Sequence, residues 1–141
     1  MNAADTLVGG AGTDTLQFVG DTAAAIPAAA ISGVEIFNVR QVSNALSSTD
    51  LSLYPGVTTF NAERGNVAYT VINLASGGTY AITGNASVIN AGTYAFGYAS
   101  AATAGILNVS GGTLGGSAVP ITGTGLPSQT ITSTSAATLL N

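Results

Sequence analysis

Ile36-Phe37-Asn38-Val39 decides the fold, because its pattern of a branched apolar residue, a large apolar residue, Asn and another apolar residue returns along the chain. Close copies stand at Thr59-Phe60-Asn61-Ala62, Val71-Ile72-Asn73-Leu74, Val88-Ile89-Asn90-Ala91 and Ile106-Leu107-Asn108-Val109, with Asn-to-Asn intervals of 23, 12, 17 and 18. Leu139-Leu140-Asn141 begins another copy at an interval of 33 from Asn108, nearly twice the preceding one. Turn clusters such as Ala75-Ser76-Gly77-Gly78 and Ser110-Gly111-Gly112-Thr113 separate them. One strand signature per coil of about 20 residues is the mark of a β-solenoid, in which each coil buries its apolar face only by stacking on the next. Stacked Asn amides about 4.8 Å apart would then form a ladder that fixes the coil register.

Working outward, Thr79-Tyr80-Ala81-Ile82-Thr83 and Thr93-Tyr94-Ala95-Phe96-Gly97-Tyr98 alternate as half-buried strands do. The whole composition agrees with many short strands. Of 141 residues, 24 are Ala, 19 Gly, 19 Thr and 13 Ser, while 11 Val, 9 Ile and 11 Leu supply enough branched apolar bulk to build a core. Residues 18–141 have room for about six coils at about 20 residues each. The expected class is all-β, a right-handed parallel β-solenoid (β-helix or β-roll), with a β-sandwich as the alternative. Because Asn141 falls inside a signature, the molecule is expected to continue or to pair with a copy of itself.

The residues that are missing narrow the function. There is no His, Cys, Trp or Lys, so a Ser-His-Asp triad, a thiol nucleophile, a His/Cys zinc site and a P-loop lysine all lack an essential member. Two Arg against six acids do not make a phosphate-tracking surface, so no nucleic-acid partner is expected. No run of apolar residues is long enough to span a membrane, and Met1–Asp5 shows neither a basic nor an apolar leader region. A catalytic pair would have to come from Asp21, Glu35, Asp50 and Glu63. Glu63-Arg64 reads more simply as a local solvated pair, and no enzyme is expected. All the charges lie between Asp5 and Arg64, leaving 65–141 without an ionisable side chain. Such a surface has lost the charge repulsion that normally keeps proteins apart.

One motif carries metal chemistry. Gly9-Gly10-Ala11-Gly12-Thr13-Asp14-Thr15-Leu16-Gln17 fits the nonapeptide G-G-x-G-x-D-x-U-x at every fixed position, and Asp5 stands one nonapeptide length before Asp14. The glycines allow tight turns at positive φ, and turn carbonyls with Asp5 and Asp14, placed on successive coils, would offer the hard oxygens that Ca²⁺ prefers. Residues 1–17 are accordingly read as a calcium-loop element and 18–141 as solenoid coils.

That loop, followed by Ile31-Ser32-Gly33-Val34-Glu35-Ile36-Phe37-Asn38-Val39 and a Thr/Ala/Gly-rich body without Cys, resembles RTX-type bacterial surface-layer proteins over about residues 5–75. The resemblance implies a secreted, calcium-stabilised β-solenoid at the bacterial cell surface that assembles with copies of itself. It also implies Asp5 and Asp14 as calcium ligands, with carbonyls from Gly9, Gly10 and Gly12. Related secreted adhesins share the motif, so the alternative is an adhesin or carbohydrate-binding module for cell-surface polysaccharide, with Tyr69, Tyr80, Tyr94 and Tyr98 available to stack on sugars.

Overall fold

Strands that alternate apolar and polar residues can seal one face only against a neighbour, and here each finds that neighbour about one coil along the chain. The structure, a computed structural model, describes residues 2, 4–20, 26, 29–42, 49–63, 69–83, 89–90, 94–110, 113–114, 121–122 and 128–134. The strands are β1 (Thr6–Val8), β2 (Thr15–Gly20), β3 (Ala30–Ser32), β4 (Ile36–Gln41), β5 (Thr49–Asp50), β6 (Thr59–Glu63) and β7 (Tyr69–Leu74). They continue with β8 (Thr79–Thr83), β9 (Ile89–Asn90), β10 (Tyr94–Tyr98), β11 (Gly105–Ser110), β12 (Thr113–Leu114), β13 (Ile121–Thr122) and β14 (Gln129–Thr134). A single turn of 3₁₀ helix, Leu51–Leu53, follows β5.

The main wall is a six-stranded sheet in the order β14-β11-β8-β6-β4-β2, and a second wall runs β13-β10-β7-β5. Two smaller ladders, β1-β3 and β12-β9, complete the described pairings. Every pairing is parallel, which removes the β-sandwich and leaves the parallel β-solenoid. Equivalent positions on the main wall run from Thr15 to Ile36, Thr59, Thr79, Ile106 and Thr130, so the wall takes one strand from each coil.

Register places Leu16, Phe37, Phe60, Tyr80 and Leu107 in one inward column, and Ile131 pairs with Leu107 at its end. Phe37, Phe60, Tyr80 and Leu107 in that column are almost wholly buried. The aromatic rings form a spine: Phe37 meets Phe60 edge-on at 5.9 Å, Phe60 stacks on Tyr80 at 5.5 Å, and Tyr80 stacks on Phe96 of the second wall at 4.1 Å. Such contacts add about 0.5–1.5 kcal/mol per pair beyond the area they bury.

The Asn signature splits between walls, which corrects the expected ladder. Gln17, Asn38, Asn61, Ala81, Asn108 and Thr132 share one outward column, so only Asn38 and Asn61 are Asn neighbours and Ala81 interrupts the row. Asn38 Nδ2 donates to Gln17 Oε1 at 3.3 Å, and the Thr83 hydroxyl donates to Asn61 Oδ1 at 3.0 Å. Asn73 lies in β7 at φ 61°, beside the register shift between β7 and β10, and Asn90 lies in β9. The expected copy at Leu139-Leu140-Asn141 lies outside the described residues.

Asn73 has a different task. Its Nδ2 donates to Asp50 Oδ1 at 2.9 Å, and that same oxygen accepts from the Ser52 backbone N–H at 2.9 Å and the Ser52 hydroxyl at 2.7 Å. Asp50 thereby caps the 3₁₀ turn and ties β5 to β7. The bond from Asn73 and those from Ser52 hold its carboxyl below the ordinary value of 3.8.

Two outcomes follow from this packing. Phe60→Ala, which empties the middle of the ring spine, is expected to lower the unfolding free energy by about 3–5 kcal/mol in urea titrations. Asp50 titrates lower in the folded chain than in the unfolded one, so its stabilisation is complete above pH ~3.8 and fades as pH falls through the depressed folded value. Asp50→Asn should therefore flatten this part of the acid limb of a stability-versus-pH curve, and an unchanged acid limb would show that the cap is energetically silent.

Candidate metal centre

The glycine-rich loop between β1 and β2 forms the first corner of the solenoid. Gly10 and Gly12 sit at φ 107° and 118°, a region closed to most side chains, so the motif's glycines do the turning expected of them. Gly9 is required for closeness: a Cβ there would collide with the Gly33 carbonyl oxygen of the next coil and with Asp14 Cβ. The Gly9 N–H donates to Ser32 O at 2.9 Å, which locks the two corners together.

Asp14 follows this loop and immediately precedes β2, while Glu35 immediately precedes β4. Since Thr15 pairs with Ile36, the two acids occupy the same corner of adjacent coils. The backbone joins them in both directions. Asp14 N–H donates to Glu35 Oε2 at 2.9 Å, and Asp14 O accepts from Glu35 N–H at 3.2 Å and Ile36 N–H at 3.1 Å. Asp14 Oδ2 is shielded from solvent and has no hydrogen-bond partner among the described residues. Next to it opens a cavity of about 250 Å³, lined by Leu7, Val8, Gly9, Asp14, Thr15, Leu16 and Val34.

The same corner recurs along the axis without acids. Thr58 and Thr59 N–H donate to Glu35 O, Thr79 N–H to Thr58 O, and Ile106 N–H to Gly78 O. Thr58 and Gly78 replace the carboxylates in the next two coils, so the acidic corner is confined to the first two.

Asp5 is placed elsewhere. It precedes β1, its Oδ2 accepts from the Asn2 N–H at 2.7 Å, and its carbonyl accepts from the Ala30 N–H at 3.0 Å. Even the shortest step of the main wall, from Thr59 to Thr79, is more than twice the distance in sequence from Asp5 to Asp14. The two aspartates therefore lie in one coil, at opposite ends of β1 and its loop, and not on successive coils. The structure brings Asp14 together with Glu35. Sequence could have found Glu35 by treating Thr15-Leu16-Gln17-Phe18 as a degenerate copy of Ile36-Phe37-Asn38-Val39, which aligns the acid before each.

A buried carboxylate oxygen without a donor is costly unless a cation or proton compensates it. Asp14 and Glu35, with the carbonyls of Gly9, Gly10 and Gly12, are the residues near this corner whose hard oxygens could hold a cation such as Ca²⁺. Among the described residues no group of three or more acidic side chains gathers at one point.

The other sequence candidates lie apart from this corner. Asp50 caps its 3₁₀ turn, Glu63 Oε2 accepts from Gln17 Nε2 at 3.2 Å, and Asp21 and Arg64 lie outside the described residues. Tyr80 and Tyr98, expected as sugar platforms in the adhesin alternative, are instead buried core residues, and the Tyr98 hydroxyl donates to the carbonyls of Gly78 at 3.3 Å and Ile106 at 3.1 Å. The side chains of Tyr69 and Tyr94 lie outside the described residues. No helix among the described residues is long and apolar enough to cross a membrane. No protein-family model matches the chain, and no curated protein or solved structure matches it either.

Proposed function

We propose that this chain is a structural, self-assembling module of a secreted bacterial surface layer or extracellular filament, without enzymatic activity, in which calcium clamps the first two coils together. The observation that carries the reading is the stacked Asp14–Glu35 corner with its shielded, unpartnered Asp14 Oδ2. Bound there, Ca²⁺ supplies the positive charge that this oxygen lacks. The chain's own residues do the rest. The Gly9–Gly12 loop turns its backbone tightly above Gly33, and the Asp14–Glu35 backbone bonds keep the two carboxyl-bearing residues in one column.

Two further features support the structural role. From Gly65 to Asn141 the chain presents no charge to oppose close packing with copies of itself. The resemblance of residues 5–75 to RTX-type surface-layer proteins points to the same extracellular, lattice-forming setting.

Calorimetric titration with Ca²⁺ tests the clamp. Asp14→Asn and Glu35→Gln are each expected to weaken binding about tenfold or more, as loss of one charged ligand from a two-carboxylate site requires, while Asp5→Asn leaves it unchanged. Sensitivity to Asp5 with indifference to Glu35 would return the site to the nonapeptide pair. Calcium at about ten times its dissociation constant should raise the unfolding free energy by ~1.4 kcal/mol. For assembly, sedimentation and electron microscopy should show large particles in millimolar calcium. A monomer both with calcium and with chelator overturns self-assembly.

A further inference from the structure

Among the described residues, each end strand of the main wall has a neighbour on one side only. β2 pairs with β4 alone and β14 with β11 alone, so each has one edge of backbone N–H and C=O groups with no described strand beside it. Natural edge strands are blunted by charge, Pro, bulges or shortness. Thr15-Leu16-Gln17-Phe18-Val19-Gly20 and Gln129-Thr130-Ile131-Thr132-Ser133-Thr134 are each longer than most strands of this chain and have no charge, no Pro and no register shift against their neighbour.

The β2 end also has an uncovered core. In the interior coils the inward residues Phe37, Phe60, Tyr80 and Val39 are sealed, whereas Leu7, Leu16 and Phe18 are only partly buried. Val8 and Val19 are 71% and 59% exposed. The cavity of about 250 Å³ opens among Leu7, Val8, Leu16 and Val34 of this end.

We infer that β14 of a second copy seats on β2 and continues the main wall head to tail as a parallel seventh strand. This rests on the self-assembly reading above and names its surfaces. The register already present in the chain extends across the joint without change. Thr130 lies in the Thr15 column, Ile131 in the Leu16 column and Thr132 in the Gln17 column, so an apolar position meets Leu16 and polar positions meet Thr15 and Gln17.

Coverage of the two edges selects this polarity over its rivals. A head-to-head contact pairs the β2 edges and leaves the β14 edge of both copies without a neighbour. A tail-to-tail contact leaves Leu7, Leu16 and Phe18 exposed to water. Head to tail alone covers both edges, and being heterologous and without closure it builds a filament.

The chain has no Cys, so engineered thiols report the joint directly. Thr15 and Thr130 are both exposed and sit on the outer surface, so their substitution spares the core. Neighbouring in-register strands bring Cα atoms about 4.8 Å apart, within the roughly 4.4–6.8 Å that a disulfide spans. Thr15→Cys/Thr130→Cys should oxidise to a ladder of covalent oligomers on a non-reducing gel. Thr15→Cys and Thr130→Cys should each stay monomeric on that gel when alone and give a dimer when mixed. A control with Ser52→Cys/Thr130→Cys, whose first thiol is exposed but away from the edge, should give no ladder. If the unsubstituted chain forms particles while the Thr15→Cys/Thr130→Cys chain gives no ladder, or if either single variant cross-links with itself, the head-to-tail joint is overturned and lateral or symmetric assembly stands in its place. If the unsubstituted chain is monomeric in calcium and in chelator, the self-assembly reading falls, and the joint with it.

Discussion

In-register parallel pairing is the constraint on which the rest of the molecule depends. A strand such as Ile36–Gln41 is too short to hold its shape alone, and its inward residues Phe37 and Val39 leave water only because β2 and β6 lie on either side with matching alternation. A slip of one residue would turn Phe37, Phe60 and Tyr80 outward together and place Asn38 and Asn61 in the core. The ring spine and the outward polar column are therefore two consequences of a single register. The spine also crosses between walls, since Tyr80 of β8 stacks on Phe96 of β10, so the two sheets are held by the same side chains that order the coils.

Register gives the axis a direction as well. Because every strand runs parallel, the two ends cannot be alike, and the acids fall at one of them. Asp14 and Glu35 share a corner whose equivalents farther along are Thr58 and Gly78, and the loop that covers it can approach so closely only because Gly9 has no side chain. An acidic corner at one end of the main wall and an uncharged strand at the other give its two ends different chemistry.

Much of the fold was legible in Ile36-Phe37-Asn38-Val39 and its copies, since an all-β chain of parallel coils follows from that recurrence. The copies were nonetheless heterogeneous. Asn38, Asn61 and Asn108 belong to the main wall, while Asn73 and Asn90 belong to other strands, and this is why the intervals of 23, 12, 17 and 18 were irregular. Asn73 suits a backbone at φ 61° because Asn tolerates the left-handed region, whereas Asn38 serves its column through an amide that reaches the next coil, so the letter alone does not separate the two roles. The Gly9–Asp14 loop was equally plain in its turn chemistry and misleading in its partner, because a nonapeptide repeat suits a shorter coil than this one.

The amino-acid sequence by itself determined the strand-rich class, the tight glycine corner at Gly9–Gly12 and the crowding of all charge between Asp5 and Arg64, since each depends on local backbone preference or on composition. Tertiary structure decided which residues meet. It paired Asp14 with Glu35, buried Tyr80 and Tyr98, broke the Asn row at Ala81 and put β2 and β14 at the two ends of the main wall, because these outcomes depend on the length of each coil, and coil length is fixed only when a whole turn closes onto its neighbour.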